Sequence, residues 1–377
     1  MSASHDQTTG MDDGGSLLPR DAIFDILTWA PFKSVCRFRC VSKDWLALIS
    51  GPAFIAQHRS RSGPLLVGSY CLPYDGGLRV MDVEGNVLRT IKGLGPFPSV
   101  ASSVGNLVSV HSTQASVGTR FVDVTTGKVL LTCQTLERRK LHAVSLGGAV
   151  ASNSNKAVCI TESFSYNDEY GGVQSQQTCE VLTFGRDDYE WRQAPSPTAL
   201  VRMHNFIGST AAVNGVMHFL SQQETVGNSV LCFDLESEEW GKTIEGPLKE
   251  DTELWGQTEL IHITQLKDTL SMIQTEKREA EQCTNIWLLI DADNSIWMKA
   301  YAIPMPMSVD MVQPLMVMAN GVKLLTGYHT RRSLVPVLRV YDPSTGTFTD
   351  AIKLPENTFG RVCLCDLHFH CFGVGKI

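Results

Sequence analysis

The residues best suited to chemistry crowd near the C-terminal end: Cys363, Cys365, Asp366, His368, His370 and Cys371 fall within nine positions. On an extended strand Asp366, His368 and His370 would share one face, with the three cysteines on the other. Alternate residues of a single strand diverge, and no second ligand group stands at metal-binding spacing, so no metal site is expected. The cysteines read as the core of a closing strand. Cys36 and Cys40 stand four apart on a helical pattern without His or Cys partners, and read as core too. A second set is a recurrent aspartate: Asp82, Asp123, Asp234, Asp291 and Asp342 each close an apolar run. Convergent carboxylates could serve acid–base catalysis. Their place at a strand end, ahead of a Thr/Ser/Gly turn, fits turn capping better. No Gly-rich phosphate loop, Gly-x-Ser-x-Gly elbow or His-Glu-x-x-His is present. The expected chemistry is recognition rather than catalysis, without cofactor or metal.

The same aspartates mark the elements that position everything else. Six residues after each comes a large apolar residue, giving Asp82/Leu88, Asp123/Val129, Asp234/Trp240, Asp291/Trp297 and Asp342/Phe348, with Gly185/Trp191 as a sixth pair. The intervals between units are 41, 62, 49, 57 and 51 residues. Upstream of most pairs lies another turn signal between apolar runs, as in Val213-Asn214-Gly215-Val216 and Ala319-Asn320-Gly321-Val322. Each unit therefore reads as four strands: one before that turn, one after it, one ending at the aspartate and one bearing the large apolar residue. Four-stranded units repeating at about fifty residues imply a β-propeller, the aromatics packing between blades. Six blades are favoured. Leftover runs at Leu65–Tyr70 and Val362–Phe372 suggest that the two ends of this region share one blade, which removes exposed sheet edges. A seventh blade inside the long third unit is the alternative.

Ahead of the repeats, residues 17–56 follow helical punctuation and are 24/40 apolar, or 60%, against 43% for the whole chain. Pro19 opens a first helix with Asp21 in its first turn, Pro31 stops it, and Ser42 caps a helix carrying Trp45, Leu48 and Ile49. Ile23, Ile26, Leu27 and Ala30 form one stripe while Phe24 and Trp29 point elsewhere. Helices apolar on more than one side must be buried on more than one side. Forty residues rarely supply enough core alone, so the segment packs on the rest of the chain or is completed by another protein.

This segment resembles an F-box, most like those of plant F-box proteins. Leu18-Pro19 matches the opening Leu-Pro, Asp21 the acidic position, and Ile26-Leu27 the Ile-Leu of the first helix. Pro31, Lys33-Ser34, the run from Arg37 to Lys43, and Trp45 match the second half. Ala22 and Ala30 depart from the larger aliphatics usual there. The resemblance implies docking onto a Skp-type adaptor, and through it a cullin, in an SCF-type E3 ubiquitin ligase. The positions it assigns to the adaptor face or its support are Leu18, Pro19, Ile23, Ile26, Leu27, Pro31, Val35, Phe38, Val41 and Trp45. The repeats in turn resemble the degenerate kelch-like propeller that follows the F-box in many of these proteins, with double glycines only patchily present at Gly76-Gly77, Gly147-Gly148 and Gly171-Gly172. The expected fold is mainly β: a disordered tail over 1–16, a helical F-box over 17–61 and a kelch-like propeller over 62–377.

On such a scaffold function sits in loops. Residues 162–177 read as a long loop with Tyr166 and Tyr170, residues 251–257 bring Trp255, and residues 276–282 are charged throughout. With Arg331 and Arg332, and with Arg186-Asp187-Asp188 adding polar specificity, these could converge on one face and bind an unknown protein substrate. Each is otherwise a solvated hairpin tip, and nothing in the sequence selects the face.

Charge and composition exclude other classes. The net charge of −7 does not suggest a nucleic-acid binder. It is uneven: residues 17–61 carry seven bases and three acids, net +4, leaving −11 elsewhere, which favours an acidic partner for the basic module or a merely solvated basic face. No run approaches a membrane span, the first sixteen residues lack the apolar core of a signal sequence, and no Asn-x-Ser/Thr acceptor occurs. Eleven cysteines, odd in number and scattered singly, suit a reducing compartment, cytoplasmic and/or nuclear. The expected role is that of a non-catalytic substrate receptor; the alternatives are a non-degradative propeller scaffold or glycan-binding module, and an enzyme at the propeller mouth.

Overall fold

The structure, a computed structural model, describes residues 18–62, 64–112, 118–133, 140–167, 172–185, 189–203, 208–222, 228–247, 260–278, 281–318, 321–330, 333–350 and 352–365. The chain divides into two compact units that part between Gly63 and Pro64.

The first unit is helical. Helix α1 (Arg20–Thr28) starts behind Pro19 and α2 (Phe32–Phe38) behind Pro31, where a missing amide proton costs nothing. Helix α3 (Lys43–Ser50) starts at Ser42, whose hydroxyl accepts the Trp45 amide at 3.1 Å, and α4 (Pro52–Ser62) follows. Leu27, Val35, Ile49 and Phe54 are its buried apolar centre. Phe24 meets Phe54 edge-on at 5.5 Å. His58 on α4 is buried, and its Nε2 donates to the Ala30 carbonyl at 2.9 Å, tying α4 to the turn between α1 and α2. Burial lowers the His58 pKa against this bond, so the ring is held neutral. Cys40, expected in the core, is exposed. It sits in the turn after α2, where the helical spacing from Cys36 no longer applies.

The second unit is a propeller of six four-stranded antiparallel sheets. The first blade orders β24 (Thr358–Cys365), β1 (Leu65–Cys71), β2 (Gly76–Met81) and β3 (Val87–Ile91) from the centre outward. The second holds β4 (Pro98–Val104), β5 (Leu107–Ser112), β6 (Thr119–Asp123) and β7 (Lys128–Cys133). The third holds β8 (Lys140–Ala149), β9 (Ser154–Asn167), β10 (Gly172–Thr183) and β11 (Arg192–Ala194). The fourth holds β12 (Thr210–Val213), β13 (Val216–Leu220), β14 (Val230–Asp234) and β15 (Glu239–Trp240). The fifth holds β16 (Leu260–Leu266), β17 (Thr269–Arg278), β18 (Glu281–Asp291) and β19 (Ile296–Met305). The sixth holds β20 (Val309–Val317), β21 (Leu324–Thr330), β22 (Ser333–Asp342) and β23 (Thr347–Asp350).

Six blades and a shared first blade agree with the sequence reading. The ends join as β1 with β24, Leu66 opposite Leu364 and Val67 opposite Cys363. The observed closing strand begins at Thr358, earlier than expected, because Thr358 and Phe359 already pair with Tyr70 and Ser69 across a bulge. The run 366–372, with Asp366, His368, His370 and Cys371, lies outside the described residues. The third unit hides no seventh blade. Its length goes into β9 and β10, 14 and 12 residues long and paired throughout as one ribbon. Asn214 and Gly215, with φ of 50° and 82°, make the two-residue hairpin turn that the Asn-Gly dipeptide calls for.

Blades are held together by aromatics from the outer strands. The Trp240 indole N–H of the fourth blade donates to the Pro195 carbonyl of the third at 2.7 Å, and Trp297 of the fifth donates to Glu245 of the fourth at 2.7 Å. Trp240 also lies 5.1 Å from Phe233 and 5.5 Å from Phe219. Trp240→Ala is expected to cost about 3 kcal/mol, less in Trp240→Phe, measured as a shift in urea midpoint. A chain ending at Asp350 leaves β1 as an open edge and is expected to lose cooperative unfolding; an unchanged single thermal transition would exclude closure as the source of cooperativity. Burial lowers His111, His218 and His329 to about 4 and His262 to about 3. The unfolded chain therefore takes up protons below about 6.5 that the folded chain refuses. Their contribution is full above that value and falls below it, by up to about 1.4 kcal/mol per pH unit per histidine. Urea midpoints at pH 7.5 and 5.0 are expected to differ, the lower one at pH 5.0.

Candidate functional site

Two surfaces stand out, one on each unit. On the helical unit, Pro19, Ile23, Ile26 and Ala30 recur at spacings of four, three and four, which places them along one side of α1. Ile26 is 57% exposed, Leu18 50% and Val41 60%, and Pro19 and Pro31 are exposed as well. Ile23 is half-buried. Phe38 and Trp45 are also half-buried, their rings edge-to-face at 5.5 Å. Leu27 and Val35 are buried inside the unit, so they support the surface from beneath. Trp29, absent from the expected set, is 72% exposed, with the Arg61 guanidinium 4.4 Å over its ring. Its displacement from the stripe was the available signal. This is much exposed apolar area for so small a core.

On the propeller the topology sorts loops by end. Inner strands of neighbouring blades run parallel: Ser103 bonds the Leu364 carbonyl while Gly105 accepts from Cys365, and Ser145 bonds Thr210 while Gly147 packs on Ala212. Every connection between a second and a third strand therefore emerges at one end, together with every passage from an outer strand to the next inner strand. The aspartate turns gather at the other. Tyr170, Trp255, Arg331 and Arg332 lie outside the described residues, in segments whose flanking strands all point to the first end. The loop expected over 162–177 is instead mostly ladder: Tyr166 stands in β9 opposite Val173, and Glu162 opposite Gln177. Polar residues dominate that stretch because a long ribbon exposes much of its surface, and composition alone does not separate it from a loop. Residues 276–278 and 281–282 likewise belong to β17 and β18, with Arg278 opposite Glu281. Residues 186–188, expected to join the same face, are also outside the described residues. At the loop end the sequence reading passed over Tyr74, 95% exposed between β1 and β2, and Phe97, 43% exposed with φ of 50° before β4.

The recurrent aspartates are turn caps. Asp82 accepts the Asn86 amide at 2.8 Å, Asp123 that of Thr125 at 2.8 Å, and Asp234 that of Ser237 at 2.7 Å. Asp291 accepts from Asn294 at 3.0 Å and Asp342 from Ser344 at 3.0 Å. The Ser344 hydroxyl and Lys323 hold Asp342 down at about 2, and Asp234 and Asp291 are lowered by their own turns. Ionised carboxylates already bonded to their own backbone are poor acids and poor bases. A cavity of about 940 Å³ at this end holds Lys156, Arg192 and Glu238, but these are bonded among themselves, Glu238 to Lys156 at 2.8 Å and to Arg192 at 2.7 Å. No group of three or more metal-ligating side chains occurs among the described residues.

A model of the F-box domain matches residues 16–56, and a model of the F-box associated beta propeller domain matches residues 89–350. An F-box/kelch-repeat protein of Arabidopsis thaliana is 23% identical over 343 residues, covering 81% of this chain and 73% of that protein. Another Arabidopsis F-box protein is 23% identical over 351 residues, covering 83% and 84%. Among solved structures, an oligogalacturonate lyase in complex with manganese superposes with a TM-score of 0.42 at 10% identity, over 78% of this chain and 84% of that one; likeness at that level says nothing of chemistry. Both halves of the chain match one domain architecture, and the propeller match alone spans more than half of it. The chain belongs to the plant F-box proteins that carry an F-box-associated β-propeller.

Proposed function

We propose that this protein is the non-catalytic target receptor of a Skp–cullin–F-box E3 ubiquitin ligase in the cytoplasm and/or nucleus. The observation that carries the reading is the apolar surface exposed at Leu18, Ile26, Trp29 and Val41 on a small helical unit that matches the F-box. In the proposed complex Leu18, Pro19, Ile23, Ile26, Pro31 and Val41 meet a Skp-type adaptor, Phe38 and Trp45 set the angle between α2 and α3, and Leu27 and Val35 hold the stripe in place. The propeller presents a protein substrate through its loop end, with Tyr166, Tyr170, Trp255, Arg331 and Arg332 as candidate contacts. The receptor does no bond chemistry. Holding a target beside the ubiquitin-carrying enzyme raises the local concentration of its lysines, and that suffices to direct the transfer.

Burying one isoleucine contributes roughly 1.5–3 kcal/mol. Ile26→Asp, and the double change of Leu18 and Pro19 to alanine, are each expected to weaken capture by a purified Skp-type adaptor at least tenfold. Circular dichroism should show the propeller intact. A chain starting at Ser62 is expected to bind no adaptor. Full-strength capture by the folded double variant would exclude the assigned face. No capture by the folded full chain would leave the helices as an internal cap and favour a non-degradative scaffold.

A further inference from the structure

Arg361 lies on β24 and lines a central channel of about 630 Å³ bounded by the inner strands of all six blades. Its guanidinium crosses toward Gly208, which leads into the fourth blade. A Cβ on Gly208 would stand 3.3 Å from Nη2, 3.7 Å from Nη1 and 2.9 Å from the Ile263 carbonyl oxygen. In a ring of six, the first and fourth blades face one another, so the charge stands near the axis, and the glycine makes room for it.

Among the described residues the one carboxylate lining this channel is Asp268, in the turn after β16. It lies five residues beyond Ile263, about 16 Å at the rise of a strand, too far to pair with the guanidinium. The Arg361 Nε is buried with no hydrogen-bond partner. Beside Arg361, His262 is 1% exposed, its ring set against the Val312 backbone, and the Nε2 of His329 is buried and unbonded. Burial first, and the Arg361 charge second, keep both rings neutral. Burial also pushes the Cys363 thiol up, against the pull of Arg361, so it is no counter-anion. Arg361 is half-buried, its guanidinium facing the channel with no carboxylate near it among the described residues, and each unsatisfied buried polar group such as its Nε calls for a partner.

We propose that the central channel binds a small oxyanion of the phosphate class on Arg361. A tetrahedral oxyanion offers acceptors to the Nη pair and keeps further oxygens for other donors lining the channel, more than a planar carboxylate presents. The Thr264 hydroxyl lines the same channel, and a volume of about 630 Å³ admits a phosphorylated small molecule as well as the free ion.

The test is isothermal titration of the full-length protein at constant ionic strength with orthophosphate and pyrophosphate, and with citrate as the carboxylate arm. One saturable site is expected for the phosphates, weaker for citrate. Arg361→Gln is expected to weaken it at least tenfold, while Lys128→Gln, on the exposed outer strand β7, leaves it unchanged. Gly208→Ala keeps the charge but crowds the guanidinium, and is expected to weaken binding several-fold even if Arg361→Gln does not fold. No saturable binding by the parent protein would mean that water alone fills the channel and would overturn the proposal. Equal affinity in a folded Arg361→Gln variant, or citrate binding tighter than pyrophosphate, would overturn it too. Capture of a Skp-type adaptor, measured in parallel, should not change in Arg361→Gln, so failure here is distinct from failure of the ligase reading.

Discussion

The pairing of β24 with β1 is the constraint on which the propeller rests. Five blades are built from consecutive chain, but the first takes its inner strand from residues 358–365 and the other three from residues 65–91. This exchange closes the ring with hydrogen bonds that no local hairpin supplies, and it spares β1 an open edge. It also sets the channel, because Arg361, Cys363 and Cys365 enter the axis on the strand that arrives last. Such a closure brings together contacts nearly three hundred residues apart, and folding must pay that loop entropy before the ring holds.

With closure in place, the capped turns and the long connections occupy different ends of each blade. Outer-strand aromatics reach to the neighbouring blade's carbonyls, and the aspartates cap their turns at the opposite end from the long connections. The loop end carries ties of its own, Gln177 to Val201 and Gln282 to Val309 of the next blade. Loops there can differ in length and composition without touching the ladder.

The helical unit works by the opposite economy. Its buried centre is small, and much of its apolar area faces outward at Leu18, Ile26, Trp29 and Val41. The buried His58–Ala30 bond and the Ser42 cap hold local geometry where packing alone is thin.

What the sequence determined by itself was whatever depends on near neighbours. Helix starts at Pro19, Pro31 and Ser42, the Asn214-Gly215 turn and the aspartate caps each follow from a few adjacent residues, so their positions were legible. The count of six blades was legible as well, because each repeats that local grammar, and apolar runs at both ends told of a shared blade. Tertiary structure decided the rest. Whether residues 162–177 formed a loop or a ribbon depended on pairing across the hairpin, which polar composition does not report. That the long connections share one end followed only from the parallel inner strands. Gly208 and Arg361 carry no mutual signal across 153 positions. Their meeting at the axis exists because the ring closes, and distance in space is a property of the closed ring rather than of any segment within it.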